Sequence, residues 1–243
     1  MKLLLDLGNT RLKWGMYGGG RWRAQGALAY DRLEHLAPAI LAAGRPETAV
    51  GANVAGGVRA AEVGKALPAG LDIAWNVAAE RQCGVVNGYL TAGQLGADRW
   101  AALIGARHLH RGAALVVMAG TATTVDVLAA DGRFEGGLIL PGLMLMRRSL
   151  AADTSDLRFA DGCHVAHPRR TEDAIVSGCM EAQAGAIERM FARLDRAQAP
   201  LCLLGGGTAE LIAPLLRVPC RRVDNLVLEG LARIAEDRAN ITP

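Results

Sequence analysis

A short polar segment follows the first apolar run of the chain, at residues 6–10 (DLGNT). Gly8 lets the backbone approach a ligand closely, and the backbone N–H groups beside it can donate hydrogen bonds to phosphate oxygens. Asp6 would repel a phosphate unless a divalent cation, or water bound to that cation, lies between the two anions. Lys13 lies near the segment and adds positive charge. The chemistry predicted is phosphate binding with a metal ion; the alternative is an ordinary hairpin turn, which uses the same residue types.

Two further segments are rich in small residues at the ends of predicted strands. Residues 119–124 (AGTATT) combine glycine with hydroxyl side chains that suit a phosphate, although a threonine-rich edge strand is an equally good interpretation of this segment alone. The run Gly205-Gly206-Gly207 follows a buried-strand pattern and permits close approach of a flat ring or a phosphate. It has neither the Gly-Lys-Ser/Thr of a P-loop nor the GxGxxG spacing of a dinucleotide site.

Two oppositely charged residues, Asp98 and Arg99, are adjacent at the start of a predicted helix. A carboxylate here can act as a general base while the guanidinium pairs with an anionic group of the substrate. The alternative is a structural one, because a negative charge in the first helical turn is favourable in itself.

The elements that must position these residues occur in a repeated order. Strand, polar turn, strand, turn and strand, followed by helices and further strands, are predicted once from residue 2 and again from residue 114. The two small-residue turns fall at equivalent places in this repeat, which favours a shared role. The repeat predicts two α/β lobes with a cleft between them, an N-terminal lobe of residues 1–112 and a C-terminal lobe of residues 113–243.

Turn and capping residues predict where several helices begin. We expect Asp31 to cap a helix that runs to residue 43, and Pro141 to begin another. A helix is predicted over residues 209–216, and residues 226–238 are expected to close the second lobe as a helix.

Composition excludes several classes of protein. The net charge of +3 is small and scattered, and no basic recognition pattern accompanies it, so no nucleic-acid partner is expected. The five cysteines are odd in number and form no CxxC pair, which argues against a disulfide framework or a zinc site. The N-terminal apolar run is too short for a secretory signal, and no window has membrane-spanning length. No membrane partner is therefore expected, and the cytoplasm is the expected compartment.

Taken together, the motifs resemble those of type III pantothenate kinases. The resemblance rests on residues 6–10 (DLGNT), 95–100 (LGADRW), 120–124 (GTATT), 136–142 (GGLILPG) and 171–178 (TEDAIVSG), which occur in the right order along nearly the whole chain. It implies an α/β fold of duplicated ribonuclease H-like lobes, the actin-like ATPase fold shared with acetate and sugar kinases. It also implies a phosphotransferase that uses ATP with Mg²⁺ to phosphorylate the primary hydroxyl of pantothenate, the first step of coenzyme A synthesis.

The resemblance also implies roles for individual residues. Asp98 would accept the hydroxyl proton, and Asp6 would help to hold the metal. The residues implied to bind pantothenate are Tyr89, Gly96, Ala97, Asp98, Arg99 and Thr171. Those implied to bind ATP are Asp6, Leu7, Gly8, Asn9, Thr10, Arg11, Leu12, Lys13 and Thr121.

The chain departs from the family pattern at Met118, where the family usually has an aspartate associated with a monovalent cation. The K⁺ or NH₄⁺ site that the resemblance implies therefore lacks its usual carboxylate here. Asp126 lies further along the sheet and is an alternative ligand, although we expect it to be a strand residue facing solvent. The resemblance further implies a homodimer, and the predicted helix from Thr171 is a candidate for its interface, a core helix being the alternative.

Two other functions stay open at this point. Relatives of the family include a transcriptional accessory factor, so a non-catalytic regulatory protein on the same fold is one alternative. The other is a kinase for a different small hydroxy acid.

Overall fold

The computed structural model describes residues 1–153, 159 and 161–241. The chain forms two compact units. The first comprises Met1–Leu109 together with the chain from Asn225 onward, and the second comprises His110–Asp224. Within the described residues, no helix is both long enough and apolar enough to cross a membrane.

The first unit contains one five-stranded mixed sheet in the order β3-β2-β1-β4-β5. β1 pairs antiparallel with β2 and parallel with β4, so the sheet combines an opening meander with parallel strands. Its elements are β1 (Lys2–Leu7), β2 (Arg11–Gly18), β3 (Arg21–Ala29), α1 (Leu36–Ala43), β4 (Thr48–Asn53), α2 (Gly57–Lys65), β5 (Ile73–Asn76), a two-stranded ribbon of β6 (Arg81–Gln82) and β7 (Val85–Val86), and α3 (Ala97–Leu109).

The first sheet is covered on both faces, which explains the nearly continuous apolar run of β1. Leu3, Leu5 and Leu7 point into a core cluster that also contains Leu36 of α1 and Val63 of α2. Alternate residues of a strand point to opposite faces. Asp6 therefore lies on the other face.

The second unit repeats this architecture. Its sheet has the order β10-β9-β8-β11-β12, with β9 antiparallel to β8 and β11 parallel to both β8 and β12. Each strand occupies the place of its counterpart in the first sheet, so the predicted duplication is confirmed. The elements are β8 (Ala114–Ala119), β9 (Ala122–Leu128), β10 (Phe134–Pro141), α4 (Leu143–Asp153), α5 (Thr171–Phe191), β11 (Leu201–Gly205), α6 (Ala209–Ile212) and β12 (Cys220–Arg222).

The last helix, α7 (Leu226–Ile241), belongs to the first unit, whereas the sequence placed it in a C-terminal lobe of residues 113–243. It packs closely on α3, because two glycines allow the backbones to approach. A Cβ at Gly105 would lie 2.5 Å from the carbonyl oxygen of Leu226, and a Cβ at Gly230 would overlap the backbone of Ala101. The first unit also ends at residue 109 rather than 112.

Three of the expected helix boundaries are wrong. The chain after β3 forms a 3₁₀ segment, Tyr30–His35, before α1, and Asp31 makes no cap. Pro141 ends β10, and α4 begins two residues later. The helix that begins at Ala209 stops at Ile212 and continues as a 3₁₀ turn that contains Pro214, which has no N–H to donate.

Asp126 does not face solvent as expected, because its exposed fraction is 1%. It lies on β9 directly opposite Gly137 of β10, and a Cβ at Gly137 would overlap its carboxyl group. The glycine thus leaves room for a buried carboxyl, a feature that the alternation of strand residues does not reveal.

Candidate active site

Asp6 lies near the end of β1, directly opposite Lys13 of β2. Its exposed fraction is only 8%. Burial raises the pKa of Asp6 to about 7, the positive charge of Lys13 opposes this rise, and the negative charge of Asp98 adds to it. The first unit therefore brings the carboxyl group of Asp98, which lies far along the chain, near the Asp6–Lys13 pair.

The turn between β1 and β2 presents some of its residues to solvent and buries others. Asn9, Thr10 and Arg11 are exposed. Leu7 and Leu12 pair across the hairpin and are fully buried. Both leucines are therefore closed off from solvent and support the turn from the core.

Tyr30 holds this turn in place, a role that the sequence did not suggest. Its hydroxyl donates a 2.7 Å hydrogen bond to the carbonyl oxygen of Gly8. The guanidinium of Arg59 lies 4.5 Å from the centre of the Tyr30 ring. Burial and the negative charge of Asp6 raise the pKa of the hydroxyl, so it remains a proton donor. A tyrosine immediately after a strand has no distinctive spacing, which is why sequence analysis missed it.

Asp98 lies in the first turn of α3, where its Oδ1 accepts a 2.8 Å hydrogen bond from the backbone N–H of Arg99. Burial raises its pKa, while that hydrogen bond and the charge of Arg99 act in the opposite direction. A Cβ at Gly96 would lie 2.7 Å from Oδ1 of Asp98. Glycine at position 96 thus leaves the space that the carboxyl group occupies.

Arg99 and Tyr89 form a second contact beside Asp98. Nη1 of Arg99 donates a 2.8 Å hydrogen bond to the Tyr89 hydroxyl, and the guanidinium lies 5.6 Å from the centre of the ring. The exposed fraction of Arg99 is 5%, so the side chain is held rigidly. A buried guanidinium next to a phenol suits a carboxylate-bearing substrate.

Asn87 fixes the loop that carries Tyr89 and was also missed from the sequence. Its Nδ2 donates hydrogen bonds of 3.2 Å to the carbonyl oxygens of both Ala79 and Ala92, and its Oδ1 accepts one of 3.0 Å from the N–H of Tyr89. The loop is therefore ordered by a side-chain amide that bridges its two ends.

The second unit carries the remaining predicted residues. Thr121 is exposed in the turn between β8 and β9, and Thr171 is exposed at the start of α5. Thr123 is fully buried, and its hydroxyl finds no hydrogen-bond partner among the described residues. Met118 is half-buried with its sulfur next to Gly205, where a Cβ would lie 3.2 Å from Sδ.

The three-glycine run after β11 packs on the end of β8. Gly206 has a φ of 102°, and a Cβ there would overlap the backbone of Ala119. Thr208 closes the loop, because its N–H and its hydroxyl each donate a 3.1 Å hydrogen bond to the Ala119 carbonyl oxygen. Gly207 is exposed with open space where a side chain would be.

The described residues contain no group of three or more His, Cys, Asp or Glu side chains that could hold a metal ion. Mg²⁺ in phosphotransferases is commonly held by one or two carboxylates together with the substrate's phosphates. Asp6 fits such a role, since a buried carboxyl whose pKa is raised by burial and by a second acid gains from a nearby cation.

Solved structures of other proteins share this fold. A protein from Campylobacter jejuni, provisionally described as a conserved Baf family transcriptional activator, has a TM-score of 0.64 at 19% identity and covers 98% of this chain and 100% of its own. The ROK hexokinase of Thermus thermophilus has a TM-score of 0.51 at 16% identity, with 98% and 99% covered. At these identities the likeness establishes the fold alone, and it confirms the expected duplicated α/β fold of the actin-like ATPases and sugar kinases.

Sequence comparison identifies the family. The family model for type III pantothenate kinase matches residues 2–193. A type III pantothenate kinase of Aromatoleum aromaticum is 54% identical over 240 residues, which cover 98% of this chain and 99% of that protein. Another from Dechloromonas aromatica is 51% identical over 236 residues, with 97% and 99% covered. The chain belongs to the type III pantothenate kinase family.

Proposed function

We propose that the chain transfers the γ-phosphoryl group of ATP to the primary hydroxyl of pantothenate, giving 4'-phosphopantothenate and ADP. Family membership supports the reaction, and the cluster of Asp98, Arg99 and Tyr89 supports its chemistry. This cluster places a proton acceptor beside a guanidinium that can pair with the pantothenate carboxylate.

Asp98 is the proposed general base. The substrate hydroxyl gives its proton to the Asp98 carboxylate, its oxygen bonds to the γ-phosphorus, and the bond from that phosphorus to the bridging oxygen breaks to release ADP. Burial raises the pKa of Asp98, which makes its carboxylate a stronger base than an exposed one. Gly96 and Ala97 shape the site around this carboxyl group, and Tyr89 fixes the guanidinium of Arg99.

The hairpin turn after β1 is the proposed ATP phosphate site. Its exposed Asn9, Thr10 and Arg11 offer polar and positive groups, Gly8 offers its backbone, and Lys13 adds charge. Leu7 and Leu12 anchor the two ends of the turn in the core. Asp6 would hold Mg²⁺. When bound, this ion would neutralise part of the negative charge of the phosphates.

Two assignments in the second unit rest on the family motifs and on exposure. We assign an ATP contact to Thr121 and a pantothenate contact to Thr171, because each matches a threonine of the family motifs and each is exposed. Met118 supplies no anionic oxygen, so we propose that K⁺ or NH₄⁺ is held there less tightly than an aspartate would hold it.

We also propose a homodimer that works in the cytoplasm, where both ATP and pantothenate would be available. Exposed apolar side chains support self-association through the second unit: β10 exposes Leu138 and Ile139, and the following α4 exposes Met144 and Leu145. Light scattering of the purified chain would give its mass in solution, and a monomer at all concentrations would contradict the dimer.

The function is tested by supplying the purified, folded chain with ATP, MgCl₂ and pantothenate, with and without KCl or NH₄Cl. We expect mass spectrometry to detect 4'-phosphopantothenate and an equal amount of ADP. Parallel reactions with other small hydroxy acids test the choice of substrate. If the folded chain yields no phosphorylated pantothenate under any of these salts, the proposal fails.

A further inference from the structure

Two of the five cysteines are neighbours on adjacent strands of the second unit. Cys202 of β11 stands in register with Cys220 of β12 in a parallel pair. Both thiols are free. In-register residues of adjacent parallel strands project to the same face, and both cysteines pack in the core cluster beneath the second sheet.

The geometry of this pair suits a covalent bond between the two sulfurs. Neighbouring strands lie about 4.8 Å apart, and disulfides join Cα atoms separated by roughly 4.4–6.8 Å. The in-register pairing places the two side chains side by side on one face of the sheet. Closing the bond therefore needs no large movement of either strand.

The two cysteines differ in accessibility and in charge environment. Cys202 is fully buried, whereas Cys220 is half-buried at the sheet edge, next to the exposed Arg221 and Arg222. The neighbouring Cys202 thiol, acting as a hydrogen-bond donor, lowers the pKa of Cys220, although partial burial opposes this. Cys220 is thus the thiol that an oxidant in solution reaches first and the one more readily present as thiolate.

We propose that Cys202 and Cys220 form a reversible intrachain disulfide when the protein is exposed to a hydroperoxide. The Cys220 thiolate attacks one peroxide oxygen, the O–O bond breaks, and a proton from water completes the release of water (for H₂O₂), leaving a sulfenic acid on Cys220. The Cys202 sulfur then attacks the Cys220 sulfur, and the departing hydroxyl leaves with the Cys202 proton as a second water. In total, the two thiols lose two electrons and the peroxide gains them. A dithiol such as dithiothreitol reduces the disulfide back to two thiols.

The bond would tie a short edge strand to the sheet. β12 pairs with β11 through only three residues, Cys202, Leu203 and Leu204. The disulfide would close the loop of residues 203–219 and so restrict the unfolded chain. We therefore expect the oxidised protein to have a Tm several degrees above that of the reduced protein.

In the test, the folded protein is treated with hydrogen peroxide and then denatured in the presence of N-ethylmaleimide, which labels free thiols. The labelled protein is digested and its peptides are identified by mass spectrometry. We expect a cross-linked peptide pair joining Cys202 to Cys220, lighter by two hydrogens than the two thiol peptides and lost after dithiothreitol. The exposed Cys163 gives the matched control, since Cys163→Ser should form the same link and Cys220→Ser should leave Cys202 labelled.

The wild-type measurement needs no variant to fold and no kinase activity, so its outcome is independent of the proposed function. Recovery of both cysteines as maleimide adducts after peroxide would overturn the proposal. So would a Cys220 sulfinic acid with Cys202 still labelled, or a link between chains in place of the link within one chain.

Discussion

The carboxyl groups of Asp6 and Asp98 lie close enough for their charges to interact, although one belongs to a strand and the other to a helix far along the chain. Each is also shielded from water, which raises the pKa of both. Two such acids share a site at a cost in free energy, because ionising one makes ionising the other harder. A bound cation would relieve this repulsion, which is the physical reason for assigning the metal to Asp6.

The first prediction concerns stability as a function of pH in the variant Asp6→Asn. The pKa of Asp6 is raised from 3.8 to about 7, so the native state binds more protons than the unfolded state between these values. The contribution of Asp6 to stability is therefore fully present below pH 3.8 and is lost as the pH rises through about 7. Removing the charge should stabilise the protein at about pH 8, by an amount on the order of a few kcal/mol.

Urea unfolding of the wild type and of Asp6→Asn over this pH range measures the effect. We expect the unfolding free energy of the variant to increase relative to that of the wild type as the pH rises. The exposed Asp31→Asn is the matched control. A constant difference between Asp6→Asn and the wild type from acid to alkaline pH would contradict the raised pKa.

The second prediction is that Asp98→Asn lowers kcat by roughly a hundredfold or more, because an amide cannot accept the hydroxyl proton. The substitution keeps the shape of the side chain and an oxygen that can accept the hydrogen bond from the N–H of Arg99, so the melting curve should change little. In the wild type, kcat should rise with pH as Asp98 loses its proton, with a pKa above the ordinary value of 3.8. In the variant, kcat should no longer show this rise. Turnover close to that of the wild type would remove Asp98 from the role of base.

Much of this arrangement follows from the sequence pattern, but not all of it. Strand alternation and turn residues predicted both meanders, since they are local signals that depend on neighbours within a few positions. The placement of α7 depends instead on Gly105 and Gly230, which allow α3 and α7 to pack closely although they are far apart in the sequence. The roles of Tyr30 and Asn87 could not be predicted from the sequence either. Each side chain hydrogen-bonds to a carbonyl oxygen whose position is defined only by the folded backbone.

The third prediction concerns the contact between Arg99 and Tyr89. Arg99→Lys keeps the charge but loses the planar fork, so we expect KM for pantothenate to rise about tenfold with a smaller change in kcat. Tyr89→Phe should raise KM less, because only one hydrogen bond is removed. Steady-state kinetics of both single variants and the double variant measure the coupling, and strictly additive effects would show that the two residues act separately.

The fourth prediction concerns Tyr30, which we regard as a positioning residue for the phosphate turn. Tyr30→Phe removes the hydrogen bond to the Gly8 carbonyl oxygen and keeps the ring beneath Arg59. We expect KM for ATP to rise several-fold, equivalent to about 1 kcal/mol, while KM for pantothenate stays the same. Tyr17→Phe is the matched control, since the Tyr17 hydroxyl donates to Glu236 on α7 and its loss should lower Tm without changing KM for ATP. Equal effects of both variants on the two KM values would assign Tyr30 a purely structural role.

The fifth prediction compares two neighbouring glycines of the loop after β11. Gly206→Ala places a methyl group against the backbone of Ala119 at a left-handed φ of 102°, so the loop must move away from β8. We expect a loss of unfolding free energy of about 1–3 kcal/mol. Gly207→Ala puts its methyl group into open space at an ordinary φ, so its stability should stay within about 0.5 kcal/mol of the wild type. Urea unfolding separates the two variants. If Gly207→Ala nevertheless raises KM for ATP, the exposed glycine lies against the nucleotide, whereas equal destabilisation by both would mean that the loop as a whole is needed only for folding.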